Sequence, residues 1–332
     1  MSELLRNQKF GVEVEFTGIT RSMAAKAVQS VVGGSISGPR SDAYYTRIIR
    51  DDLGRKWKVM RDSSISPIRK SGHEAMDEYR VEFVTPPLHY SDLEILQAII
   101  RKFKEIGGVP HSSCGIHIHI DGANHTADSL RRMVSFMYSR QDIIYEALGV
   151  EDRKYSWCKP ICQELNTAMK SQRDPSKNDI EKIWYSDSND DYYGGVNHEH
   201  YNQTRYHALN LHSFFSKGTV EFRLFNSTLH AGRIKAYVQF CLALSAWSIE
   251  SKGKYFFVAP RSQRAVSGNA VPVTVYIGAF SAVIPVCAPA PKKYHVQVIL
   301  FVILRLRPML HNGEPFRCGC AVLREKHRRV FG

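Results

Sequence analysis

The sequence has no apolar run near the ~20 residues that a membrane-spanning helix needs; the apolar stretch 296–304 is far too short. Its first residues are polar and mixed in charge, without the apolar core of a secretory signal. Seven cysteines, odd in number and scattered, do not make a disulfide framework and suit a reducing compartment. These absences lead to the expectation of a cytoplasmic protein with no membrane partner. The Gly- and Ser-rich stretch 33–40 is not followed by Gly-Lys-Ser/Thr, so it is a connector and not a P-loop. Cys158 and Cys162 are helix-spaced, but no second pair completes a zinc site, and they read as free thiols.

Acidic residues nearly vanish after position 258. Residues 259–332 carry 11 Lys+Arg against 2 Asp+Glu, while residues 1–258 carry 34 against 30, within a total net charge of +13. Half of the 14 prolines also lie beyond 258. The chain therefore divides into a body, 1–258, and a basic, Pro-rich tail, 259–332. The tail is either an appended segment or a stretch read out of frame; the abruptness of the change favours the second. The body is nearly balanced in charge and the tail has no recognition motif, so nucleic acid is not an expected partner. Oligomeric state is not legible.

What is present is a set of strands that each place polar groups on one face. In Cys114-Gly115-Ile116-His117-Ile118-His119-Ile120-Asp121 the two histidines are two apart, and strand residues i and i+2 share a face. Residues 9–17 alternate Val12, Val14 and Phe16 with Glu13 and Glu15. Residues 80–88 place Glu82 opposite Val81 and Phe83, and Pro86-Pro87 stop the strand. Residues 218–225 set Glu221 and Arg223 on one face. Residues 44–49 and 56–60 predict a hairpin closed by Asp51-Asp52-Leu53-Gly54, followed by the turn Arg61-Asp62-Ser63-Ser64.

Helices are expected from a Ser22 cap to Val32, from a Ser91–Glu94 capping box to Gly107, from near Asp128 to Leu148, and over 231–247. Residues 152–201 are polar, tyrosine-rich and weakly periodic. They predict a mobile insertion closing over the site, not a packed layer. Strands and helices without strict βαβ alternation predict an α+β fold, a mainly antiparallel sheet carrying the active site with helices on one side.

If the strands share a sheet, Glu13, Glu15, Glu82 and Glu221 converge with imidazoles and one arginine. Clustered carboxylates suit hard divalent cations. An arginine among them calls for an anion, and a nucleotide triphosphate with Mg²⁺ satisfies both.

In their order and spacing these motifs resemble the amidoligase family, within the glutamine synthetase and glutamate–cysteine ligase superfamily. The similarity runs from about residue 9 to about residue 245. It implies a glutamine synthetase-like catalytic domain over 1–258. It further implies an ATP-dependent carboxylate–amine ligase that uses ATP and two or three Mg²⁺ ions to join a small-molecule or peptide carboxylate to an amine. Under the resemblance Glu13, Glu15, Glu82, His117 and Glu221 hold metal. His117, His119, Arg223 and Ser64 bind the nucleotide, and Arg223, Arg205 and Asp62 are catalytic. Two positions depart from the wider superfamily: Ser63 stands for the Gly of its Asp-Gly-Ser turn, and Tyr90 for a further metal Glu. The alternative is a member that binds nucleotide without ligating, or a truncated product.

Overall fold

The computed structural model describes residues 2–186 and 195–251, with the backbone of strands Pro272–Ile277 and Phe280–Pro285. The expectation for the tail 259–332 falls almost wholly outside the described residues.

Helix α1 (Glu3–Asn7) leads into β1 (Phe10–Phe16), α2 (Arg21–Val32), β2 (Ser35–Ser37), β3 (Arg47–Arg50), β4 (Lys56–Met60) and β5 (Val81–Val84). Then come α3 (Leu93–Glu105), β6 (Gly115–Asp121), α4 (Ala127–Leu148), α5 (Gln163–Ser171) and α6 (Lys177–Ser186). The body ends with β7 (Leu209–Asn210), α7 (His212–Lys217), β8 (Thr219–Asn226) and α8 (Ala231–Glu250). Eight strands form one sheet in the order β2-β3-β4-β5-β1-β6-β8-β7, and every pairing in it is antiparallel. Among the described residues the strands at 272–277 and 280–285 pair only with each other. The α+β expectation with an antiparallel sheet is met.

Alternation decides which face is covered. Val12, Val14 and Phe16 of β1, Trp57 and Val59 of β4, and Val81 and Phe83 of β5 are buried on one face. Helices α2, α3 and α8 make that layer: α2 lies across β2–β5 and α8 against β6, with α3 between them. The α3 stripe Leu96, Ile99, Ile100 and Phe103 is buried, and Phe103 meets Phe16 and Phe83 at ring distances of 4.8 and 5.1 Å. Truncating such a ring, as in Phe83→Ala, costs ~3–5 kcal/mol. Helix α4 packs on α8, and α5 and α6 pack on α4. Among the described residues no helix is long and apolar enough to cross a membrane.

Local expectations are corrected in several places. Helix α2 is capped by Thr20, whose side chain accepts from the Met23 amide at 3.2 Å, and not by Ser22. Ahead of α3 the reciprocal cap joins His89 and Asp92 and not Ser91 and Glu94. The 33–40 connector contains the edge strand β2, which pairs with β3 and packs Ile36 against the core. Between Arg205 and β8 the chain forms β7 and α7, where only a lead-in was expected. Most substantially, 152–201 is not simply an insertion standing off the body. Leu165, Met169, Ile180, Trp184 and Tyr185 are buried as α5 and α6 pack in a layer. Among the described residues Cys114, Cys158, Cys162 and Cys241 form no disulfide.

Candidate active site

The sheet face opposite the α2–α3–α8 layer carries the polar groups, and register aligns them. In β1 and β6 Glu13 faces His117 and Gly11 faces His119; in β1 and β5 Glu15 faces Glu82; in β6 and β8 His119 faces Glu221. The β6–β8 register slips between Ile116 and Ile118, an irregularity beside His117 of the kind that re-aims a side chain. Glu15, His117, Glu221 and Arg223 are buried, and Glu13, Glu82 and His119 are partly so.

The groups form two trios whose ligand atoms lie within 4.8 Å of one another: Glu13, His119 and Glu221, and Glu15, Asp62 and Glu82. His117 sits between them. Its Nδ1 is 3.0 Å from Glu13 Oε2 and 3.8 Å from Glu221 Oε1, and its Nε2 is 3.9 Å from Glu15 Oε1. His119 uses Nδ1 for the Thr219 hydroxyl at 3.0 Å, which leaves Nε2 facing Glu13 Oε1 at 3.3 Å and Glu221 Oε1 at 3.9 Å. That Nε2 is buried without a hydrogen-bond partner among the described residues. An imidazole nitrogen set between two carboxylates, with the other nitrogen fixed from behind, could serve as a ligand to a divalent cation.

Charge is distributed unevenly between the trios. Burial works against the Glu13 carboxylate, but His119 and His117 outweigh it and hold its pKa well below the usual value. Burial likewise opposes Glu221, yet Arg223 and the histidines bring it down to about 2. His119 is raised, because Glu221 and Glu13 overcome its burial. In the second trio burial raises Glu15, with Asp62 adding to the rise against His117. Burial, Glu13, Glu15 and Asp62 together push Glu82 well above the carboxylate range. The first trio is thus balanced by cationic side chains. In the second, His117 and Arg153 act on Glu15 and Lys217 on Glu82 without offsetting burial and mutual repulsion, and such a carboxylate set is one that a hard cation fits.

Supports from distant segments fix these groups. Asn210 Nδ2 donates to Glu221 Oε2 at 2.7 Å, and the Gly115 amide to Glu15 Oε2 at 2.6 Å. A Cβ at position 115 would lie 2.5 Å from the Arg153 guanidinium, so only glycine lets that arginine lie against β6. The turn carrying Asp62 is clamped by Arg80, which donates to the Ser63 and Ile65 carbonyls. Asp77 gathers Arg61, Arg21 and Arg80 at 2.7, 3.1 and 3.3 Å.

Arg223 donates to Glu221 Oε1 at 2.6 Å. Its Nε has no partner among the described residues. Burial opposes its charge, and Glu221, then Glu13 and Glu15, more than restore it. Its guanidinium lies 5.9 Å from the Tyr206 ring centre, and Arg205 lies 5.5 Å from the same ring. Arg205 also stacks on Tyr201 at 5.7 Å and donates to the His200 carbonyl at 2.7 Å. The two arginines expected to act together thus share one aromatic ring, with Arg205 one step further from the carboxylates.

Asp62, expected among the catalytic residues, groups with Glu15 and Glu82. The trio around Glu13 contains His119, where His117 was expected. Ser64 is exposed and gives its backbone amide to Asp62 Oδ1 at 2.7 Å. The supports Asn210, Thr219, Tyr206 and Arg153 were not singled out from sequence. Asn210 sits beside the Glu221 strand in a polar Asn-Leu-His run, a faint signal; Arg153 had none.

The profile of a protein family described as "Putative amidoligase enzyme" matches residues 6–245. No curated protein matches the chain.

Proposed function

The chain belongs to the amidoligase family, and from that premise we propose that it joins a carboxylate to an amine at the expense of ATP, through an acyl phosphate. The family supports an amide-bond ligase; nucleotide, cation and intermediate are our reading, as is kinship with the glutamine synthetase-like fold. The observation that carries it is the pair of trios beside Arg223, with His119 Nε2 set between Glu13 and Glu221 in one and three carboxylates crowded together in the other.

Glu13, His119 and Glu221 would hold one divalent cation, and Glu15, Asp62 and Glu82 a second. When bound, Mg²⁺ ions neutralise phosphate oxygens and draw charge from the transferring phosphoryl group. The protein's own groups do the rest. Arg223, fixed by Glu221 on one edge and Tyr206 on one face, would set its cationic charge beside the phosphoryl oxygens, and Arg205 would extend that cationic wall. Thr219 fixes the His119 ring, and Asn210 the Glu221 carboxylate. A carboxylate is a poor acyl donor because its leaving group is poor, and phosphorylation repairs that. The amine then displaces phosphate.

The test has two steps. Calorimetric titration with ATP and Mg²⁺ should show cation-dependent binding, and a phosphate-release screen over acids and amines should show turnover that needs both. No binding of ATP–Mg²⁺ rejects the reading; binding without release under any pair reduces it to nucleotide binding.

A further inference from the structure

The face that carries the trios continues past β5 onto β4, β3 and β2, and there its character reverses. Lys58 pairs with Val84, which pairs with Glu13, so Lys58 stands on the face of the trios two strands away, ~10 Å at ordinary strand spacing. Lys56 is on the same face two residues back, and Arg50 lies directly opposite Lys56 in the β3–β4 register. All three are exposed, while Trp57, Val59 and Ile49 turn to the other face and are buried under the helix layer. The remaining positions of this flank are Met60, Ile48, Ser35 and Ser37, so no described residue of β2–β4 puts a carboxylate on it. Arg50 donates to the Gly54 carbonyl at 3.1 Å, and none of the three cations pairs with a carboxylate among the described residues.

An exposed charge is ordinarily just a solvated one. Two features set these apart. Like charges placed directly opposite one another across a strand pair are destabilising, so the Arg50–Lys56 pair does nothing for the fold. Lys56 and Lys58 are also spaced ~6.7 Å apart along β4, the i to i+2 repeat of any extended chain.

We propose that this shelf binds the remainder of the substrate, an acidic, peptide-like chain whose further carboxylates lie on Lys58, Lys56 and Arg50 while one carboxylate reaches the trios. The inference rests on the ligase reading for the position of the reacting end. The ~10 Å from Glu13 to Lys58 is the span of about three extended residues, so the substrate is longer than a single amino acid. Charge complementarity also explains how an anion approaches a centre rich in carboxylates: the cations offset the repulsion at the point of approach.

The experiment reads the site itself, because residues 259–332 are basic too. Full-length protein is reductively methylated at low salt with or without hexaglutamate, and modification is mapped by mass spectrometry. Hexaglutamate should protect Lys56 and Lys58, and hexaglutamine should not. In Arg50→Gln the concentration giving half-protection should rise about three- to fivefold, as for loss of one exposed charge contact. Equal modification of Lys56 and Lys58 with and without hexaglutamate overturns the proposal, as does equal protection by hexaglutamine. Stronger protection by a thymidine hexanucleotide than by hexaglutamate assigns the shelf to nucleic acid and also overturns it. The ATP–Mg²⁺ titration is independent. Protection without ATP binding leaves the shelf and removes the ligase; ATP binding without protection does the reverse.

Discussion

The two halves of the exposed sheet face concentrate opposite charges in opposite ways. In the centre, β5, β1, β6 and β8 bring together largely buried carboxylates tied to imidazoles, amides and a guanidinium. On the flank, β3 and β4 display cations in water with no carboxylate partner among the described residues. Neither arrangement helps the fold: Glu82 is pushed well above the carboxylate range by its neighbours, and Arg50 opposes Lys56. The difference is one of screening. Buried like charges interact strongly and alter protonation, whereas exposed ones are muted by solvent and salt. Perturbing the centre should therefore change chemistry steeply, and perturbing the flank should change stability slightly and reversibly with salt.

The largest effect is expected in the centre. Glu15→Gln keeps an oxygen for the Gly115 amide and removes one charge from the second trio. Cation-dependent turnover should fall by about 10²–10³-fold or more, with the melting temperature unchanged or raised, since a repelled carboxylate has gone. Glu221→Gln should lose as much turnover and also stability, because Arg223 is left buried with its main counter-charge removed. Equal Mg²⁺ dependence in wild type and Glu15→Gln would remove Glu15 from the cation set.

Next comes Arg223→Lys. A structural ion pair survives this exchange, whereas a planar donor aimed at a phosphoryl group does not. Loss of one such transition-state donor costs on the order of 3 kcal/mol, about a hundredfold in rate. Normal turnover with a lowered melting temperature would make Arg223 a partner of Glu221 only and move the phosphoryl contact to Arg205.

A pH series separates the fold from this chemistry, because one buried histidine belongs to the packing alone. His125 lies between the Ser129 and Ser245 hydroxyls at 2.9 Å each. Burial, with Lys177 adding, depresses its pKa to about 4. Between pH ~6.5 and ~4 the unfolded chain therefore binds a proton that the folded chain does not. Stability is full above ~6.5 and falls as the pH drops, with a slope of up to ~1.4 kcal/mol per unit from this group. His125→Gln should flatten the dependence of the urea midpoint on pH in that window. An unchanged slope would place the acid sensitivity elsewhere.

Legibility followed the same division between local pattern and long-range assembly. Period-two alternation was enough to find β1, β4, β6 and β8 and to put Glu13 with Glu15, His117 with His119, and Glu221 with Arg223, because two-residue spacing fixes a shared face whatever the partners. Asp62 escaped it. Its place beside Glu15 and Glu82 depends on Arg80 gripping the Ser63 and Ile65 carbonyls, a contact across fifteen or more residues. Strand β2 is three residues of Ser-Ile-Ser with no pattern of its own, defined only by β3. In α5 and α6 the buried positions Leu165, Met169, Ile180 and Trp184 are diluted among polar neighbours, so their helical spacing was masked and a packed layer read as an insertion. Thr20 outdid Ser22 as a cap because backbone entry into the helix, not residue type alone, decides which hydroxyl meets a free amide.

The smallest effect tests whether the flank's cations repel as their register requires. Lys56 faces Arg50 directly, and both are exposed. Lys56→Glu turns the like pair into an opposite pair, and such cross-strand changes are worth ~0.2–1 kcal/mol. Lys56→Thr removes the repulsion without adding an attraction and supplies a better strand former, so it should gain about half as much. In 10 mM salt Lys56→Glu should raise the melting temperature by ~1–3 °C and Lys56→Thr by less. Both gains should shrink by 1 M salt, where the screening length falls to ~3 Å. The salt series is what makes the test discriminating: a gain from strand propensity alone persists in high salt, while one from relieved repulsion fades. If Lys56→Glu is destabilising at low salt, the two cations are not in conflict, and the flank's charge has a folding reason that the register does not reveal. If the gain appears and fades, the flank holds its cations at a cost to stability, as the centre holds its carboxylates, and acid-peptide protection at Lys58 is then the measurement that says what they are for.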